Sequence, residues 1–95
     1  MTKPAPITLY RLTDHARAEM ARRQISESDV ARALSAPEQS KNVREGCAVY
    51  QSRMEFGEPP GIYLLRVFVD VDRDPPEVVT VYRTSRIEKY WRVDL

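Results

Sequence analysis

The sequence predicts an α+β fold: an N-terminal helical hairpin packed on one face of a mostly antiparallel sheet of about four strands. Three observations carry this expectation. Residues 61–71 alternate strictly, with Tyr63, Leu65, Val67, Val69 and Val71 on one face and Ile62, Leu64, Arg66, Phe68 and Asp70 on the other. Asp72-Arg73-Asp74-Pro75-Pro76 then interrupts the ladder, because proline has no N–H to donate. Upstream, two segments open on helix caps, Thr13 and Ser26.

Taken in order, residues 7–12 form a short apolar–polar run that reads as a first strand. Thr13 caps a helix over 14–24, with Asp14 favourable at the positive end of its dipole. Ala16 and Met20 make its buried seam, extended by Ile25, while His15, Glu19 and Arg22 share the adjoining polar edge. Ser26-Glu27-Ser28-Asp29 resembles a capping box for a second helix, buried through Val30, Ala33 and Leu34 and stopped at Pro37. Residues 41–44 and 47–54 read as strands around a Glu45-Gly46 turn, and Gly57, Pro59 and Pro60 mark a loop.

The second apolar run places Val79 and Val81 on one face and Val78, Thr80 and Tyr82 on the other. Pairing Val67 with Val81 aligns the two valine faces, setting Arg66 opposite Tyr82 and Phe68 opposite Thr80. Residues 84–91 return to a helical period, with Ser85 as a cap and Ile87 with Tyr90 or Trp91 on one side, for a short helix or a turn laid along the sheet. Two helices cover one sheet face, so the face carrying Arg66, Phe68, Thr80 and Tyr82 is expected to be at least partly open.

At 95 residues the chain is expected to be a single domain, 1–95. No apolar run approaches the roughly 18 residues of a membrane span, and no long apolar leader precedes the fold, so a cytoplasmic protein without membrane contact is expected. The lone Cys47 has no partner for an internal disulfide. The net charge of +1 makes local distribution decisive for any anionic partner. Arg83, Arg86, Lys89 and Arg92 face one acid, Glu88, and the four arginines between 11 and 23 face Asp14 and Glu19.

No glycine-rich phosphate loop, zinc-type Cys/His spacing or nucleophile elbow occurs. Asp70-x-Asp72-x-Asp74 starts like a calcium loop but has Pro75 where glycine is needed and Val81 where glutamate is needed. Neither a metal nor a cofactor is therefore expected. What remains suits RNA cleavage: His15 as acid or base, Arg66 as a phosphate fork, and Thr80 or Tyr82 to position the phosphate. Arg22, Arg83, Arg86 and Lys89 can meet RNA phosphates, and Tyr90 and Trp91 can stack on unpaired bases. Each also has a purely structural role available. A histidine at a helix start can cap or stay solvated, Arg66 can pair with Glu19 or Asp70, and Tyr90 with Trp91 can form an apolar clasp.

Thr13-Asp14-His15-Ala16, Met20, Arg23, Ile25-Ser26, Asp29-Val30 and Ala33-Leu34 resemble the "T-x-H-A-x-x-R-M-x-x-R-x-I-S" opening of a bacterial family of small domains of unknown function. Leu65-Arg66-Val67, Val79-Thr80-Val81-Tyr82 and the run from Thr84 to Trp91 resemble its C-terminal half. The resemblance implies a RelE-like fold, in the group that includes barnase and the colicin tRNases. It also implies a metal-independent endoribonuclease acting as the toxin of a toxin–antitoxin pair, with a cognate antitoxin protein as partner. Its implied catalytic positions are His15, Arg66, Thr80 and Tyr82. Glu19 departs from the pattern, which often has arginine before Met20. A non-catalytic RNA- or protein-binding module of the same fold is the alternative expectation.

Overall fold

A computed structural model of the chain describes residues 4–93, and the expected 1–95 domain runs past these limits at both ends. Five strands and three helices follow in the order β1 (Arg11–Leu12), α1 (Asp14–Arg23), α2 (Glu27–Ser35), β2 (Gln39–Arg44), β3 (Cys47–Phe56), β4 (Gly61–Asp70), β5 (Glu77–Thr84) and α3 (Ile87–Tyr90). They build one mixed sheet in the order β1-β5-β4-β3-β2. The sheet thus has five strands instead of about four. The β1–β5 pair is parallel, and the other three pairs are antiparallel.

Both long helices start where side-chain oxygens can satisfy free backbone N–H groups. Thr13 accepts from the Ala16 N–H at 3.1 Å, and Ser26 and Asp29 complete a reciprocal capping box. Gln24 ends α1 in the left-handed conformation, with φ of 57°. The helix α1 lies along β5, and α2 lies over β3 and β4. Their buried residues Ala16, Met20, Val30, Ala33 and Leu34 join Leu65, Val67, Val69, Val78 and Val81 in one core. That core occupies the face of the sheet away from Arg66.

The hairpin register is the expected one, with Arg66 opposite Tyr82, Val67 opposite Val81 and Phe68 opposite Thr80. Beyond Phe68 the register slips, and Val69 faces Val78. This bulge at Val79 corrects the simple parity of β5: Val78 is fully buried in the core, and Val79 lies beside Thr80 and Tyr82 instead. The first strand is also shorter than the 7–12 run. Only Arg11 and Leu12 pair with β5, and the Ile7 N–H is taken by the Leu34 carbonyl at the end of α2. Ser85 does not cap α3. Arg86 occupies the N-cap position, with no side-chain bond to the helix.

Burial on the helix side sets the stability of this sheet. Leu65 is fully buried whereas Ile62, on the same strand, is 52% exposed. Leu65→Ala should cost about 2–5 kcal/mol through lost burial and the cavity left behind. Ile62→Ala should stay within about 0.5 kcal/mol. Urea unfolding of the two variants checks the contrast.

Candidate functional site

Strand register places four polar side chains in one row across the face opposite the helices. Gln39 faces Gln51, Gln51 faces Arg66, and Arg66 faces Tyr82. Their side chains bond in the same order. The Gln51 Nε2 donates to Gln39 Oε1 at 2.8 Å, and the Arg66 Nε donates to Gln51 Oε1 at 3.0 Å. An Arg66 terminal nitrogen donates to the Tyr82 hydroxyl at 2.7 Å. Gln39 and Gln51 are each 3% exposed, so their amides depend on these partners for the hydrogen bonds that water would otherwise supply.

The same two glutamines tie down the chain that follows α3. Gln39 accepts from the Arg92 N–H at 3.0 Å and donates to the Arg92 carbonyl, which imitates a strand pairing with a side chain. Gln51 also donates to the Tyr90 carbonyl at 3.1 Å. Residues 90–92 therefore lie across part of the face that two helices leave uncovered. Leu64, two residues before Arg66, is fully buried on this side. The face expected to be at least partly open is thus open in part.

Tyr90 brings its ring against Arg66, whose guanidinium carbon stands 4.3 Å from the ring centre. Phe68 and Tyr82 stack at 6.0 Å, and Tyr82 meets Tyr90 edge-on at 6.5 Å. Beside Arg66 and Tyr90 opens a cavity of about 440 Å³ lined by Lys41, Gln51, Arg66, Lys89, residues 90–92 and Val93, and none of these described lining residues carries a carboxylate. The carboxylates named as possible structural partners of Arg66 are engaged elsewhere. Glu19 binds Arg22 and Arg23, and Asp70 lies 4.0 Å from Arg44. Among the described residues Arg66 forms no ion pair. Two of its N–H donors are used by Gln51 and Tyr82, and the fork has others to offer a ligand.

A hydrogen bond from Tyr82 holds the Tyr90 phenol below its ordinary value of 10.0, assisted by the charges of Lys89 and Arg66 and opposed by partial burial. Tyr82 thus accepts from Arg66 and also lowers the Tyr90 phenol, so Arg66, Tyr82 and Tyr90 stand in series. Such an arrangement has the chemistry to bind an anion, with a phenol beside it that could accept a proton.

The expected site residues do not all converge. His15 is exposed on α1, and α1 covers the opposite face, so the sheet separates it from Arg66 and Tyr82. Thr80 is one ladder step away, in a neighbouring hollow with Phe68 and Val79. Arg22 and Arg83 line a separate cleft with Arg23 and Gln24. Glu19, 8% exposed, is held below the usual carboxylate range chiefly by its bond from Arg23; it orients Arg22 and Arg23, with no bond to His15. Arg86 is exposed ahead of α3. Lys89, Tyr90 and Trp91 do reach the Arg66 cavity, although Arg53, held by Glu38, covers one face of the Trp91 ring at 4.1 Å.

Gln39, Gln51 and Lys41 were missed by the sequence reading. The signal for Gln51 was its position opposite Arg66, which follows once the turn after Phe56 sets the β3–β4 register. Cys47 is 2% exposed and burial pushes its thiol up, so it is a packing residue. Among the described residues no group of three His, Cys, Asp or Glu side chains could hold a metal ion, and no helix is long and apolar enough to cross a membrane.

The tyrosines give this geometry a direct readout. As pH rises, Tyr90 should ionise first because its tyrosinate is stabilised, and Tyr10 and Tyr50 last because burial disfavours theirs. Ultraviolet titration of Tyr82→Phe should lose the early step by moving Tyr90 back up. An unchanged early step would show that Tyr82 does not set it.

The family model described as Domain of unknown function (DUF4258) matches residues 12–83. That span runs from the residue before the Thr13 cap to the one after Tyr82, and so contains the whole Gln39–Gln51–Arg66–Tyr82 row but not Lys89 or Tyr90. Among curated proteins and among solved structures, no match to the chain is found. The chain belongs to the DUF4258 family of domains.

Proposed function

We propose that the protein is a metal-independent endoribonuclease with its phosphate site in the Arg66 cavity. One observation carries the reading: a half-buried arginine, held by Gln51 and Tyr82 and without an ion pair among the described residues, faces a cavity lined by Lys41, Lys89 and Arg92 with the Tyr90 ring against it. On this reading Arg66 and Lys41 hold the phosphate oxygens of an RNA strand and stabilise the charge that develops on them. The Tyr90 phenolate takes the proton of the ribose 2′-hydroxyl, whose oxygen attacks the adjacent phosphorus. The bond to the 5′-oxygen breaks, and the Lys89 ammonium returns a proton to that leaving oxygen. The products are a 2′,3′-cyclic phosphate and a 5′-hydroxyl. His15 has no part in this scheme.

The resemblance to RelE-like nucleases extends the proposal to the biological role. The enzyme acts in the cytoplasm as the toxin of a toxin–antitoxin pair, and a cognate antitoxin protein silences it by covering the cavity face. A second reading, a non-catalytic RNA- or protein-binding module of the same fold, draws support from residues 90–92 lying across that face and from the distance of the sole histidine.

Purified protein mixed with RNA decides between them. Cleavage should leave cyclic-phosphate and 5′-hydroxyl ends and slow by about 100-fold or more in Arg66→Ala and in Tyr90→Phe. The rate should rise with pH toward the lowered Tyr90 value, and Tyr90→Phe should flatten that rise. His15→Ala should cut normally. RNA bound and left intact by the wild type would establish the second reading, and growth arrest on expression would support the toxin role.

A further inference from the structure

A smaller hollow of about 230 Å³ adjoins the Arg66 row, lined by Arg44, Cys47, Phe68, Val79, Thr80 and Tyr82. It differs in chemistry from the cationic cavity. Phe68 and Tyr82 give it flat aromatic surfaces, 20° from parallel, and Thr80 adds a hydroxyl. The bulge on β5 puts Val79 in its wall, while Val78 takes the core position. Arg44 also lines it; its side chain is 67% exposed, with one terminal guanidinium nitrogen 4.0 Å from the Asp70 carboxylate. The Phe68–Thr80 pair follows the Arg66–Tyr82 pair on the same face, about 6.7 Å further along the strands. That step is comparable to the reach from a phosphate to the base of its own nucleotide.

We propose that this hollow is a nucleobase subsite, selective for guanine, belonging to the nucleotide whose phosphate occupies the Arg66 cavity. The proposal rests on the reading of that cavity as a phosphate site. Stacking on aromatic side chains holds any base, because every base has a π face. Selection comes from Arg44. Its fork donates twice, and guanine presents two adjacent acceptors, O6 and N7. Adenine offers one acceptor beside an amino donor that opposes the guanidinium, and cytosine presents a donor. Lysine would keep the charge at this position but lose the paired donors.

The sole tryptophan, Trp91, lines the phosphate cavity, so its fluorescence reports binding there. Guanosine 5′-monophosphate should bind at least about tenfold more tightly than cytidine 5′-monophosphate or inorganic phosphate. Arg44→Lys should bring the two nucleotides level while leaving inorganic phosphate unchanged, and the exposure of Arg44 makes a folding defect from this change unexpected. Equal binding of both nucleotides by the wild type, or an Arg44→Lys variant that keeps the preference, would overturn the subsite. The phosphate reading fails separately, if inorganic phosphate does not bind or if Arg66→Ala binds it as the wild type does. In that case guanosine without phosphate is the probe: backbone amide shifts at Phe68 and Thr80 would uphold the base subsite alone, and no shifts would remove both.

Discussion

A guanidinium set in the middle of a sheet needs either a counter-ion or enough neutral acceptors and water to replace one, because an unpaired charge moved away from solvent is costly. Arg66 takes the second course. Gln51 and Tyr82 accept from it, Tyr90 and Phe68 present ring faces to it, and no carboxylate pairs with it among the described residues. Its direction is therefore set by neutral groups, and none of the described residues neutralises its charge. A salt bridge would have fixed the same side chain and cancelled the field it projects into the cavity.

The two faces of the sheet divide the work. On the helix side, Val67, Val69 and Val81 are fully buried, which gives β4 and β5 little freedom to shift. On the other side the same strands present Arg66, Phe68, Thr80 and Tyr82 at spacings that the ladder sets. The C-terminal segment is bound to this arrangement through glutamine amides. Lifting it would strip partners from Gln39 and Gln51, and leaving a buried polar group unsatisfied costs about 1–3 kcal/mol. The segment that completes the cavity is thus held by the same row that orients Arg66.

The valine parity and the proline turn were enough to read the hairpin register from the sequence, and with it the Arg66–Tyr82 pair. The caps at Thr13 and Ser26 were equally legible, since they are local hydrogen bonds. The bulge at Val79 was not, because Val78 and Val79 are chemically the same and either can fill the core. Nor was the path of residues 90–92, whose partners in β2 and β3 lie far away in the chain. The position of His15 was within reach. Two amphipathic helices must cover the more apolar sheet face, and parity already assigns that face to Val67 and Arg66 to the other. A histidine on such a helix therefore stands across the sheet from Arg66.

Without that histidine, the site separates into two parts. Gln39, Gln51, Arg66 and Tyr82 hold and orient positive charge, and all four lie inside the span shared with the family. Lys89 and Tyr90, which would move protons in the proposed reaction, lie beyond it. In the proposed function the anion-holding groups Arg66 and Lys41 stand on the sheet, where register sets the row, and the added segment completes the cavity around them. Cleavage needs the added segment to bring an acidified phenol to that row. The acidification itself comes mainly from Tyr82, so the added tyrosine acquires its chemistry from the strand it lands on. Binding is thus the part of the proposed function built into the sheet, and catalysis depends on how the chain after β5 folds back over it.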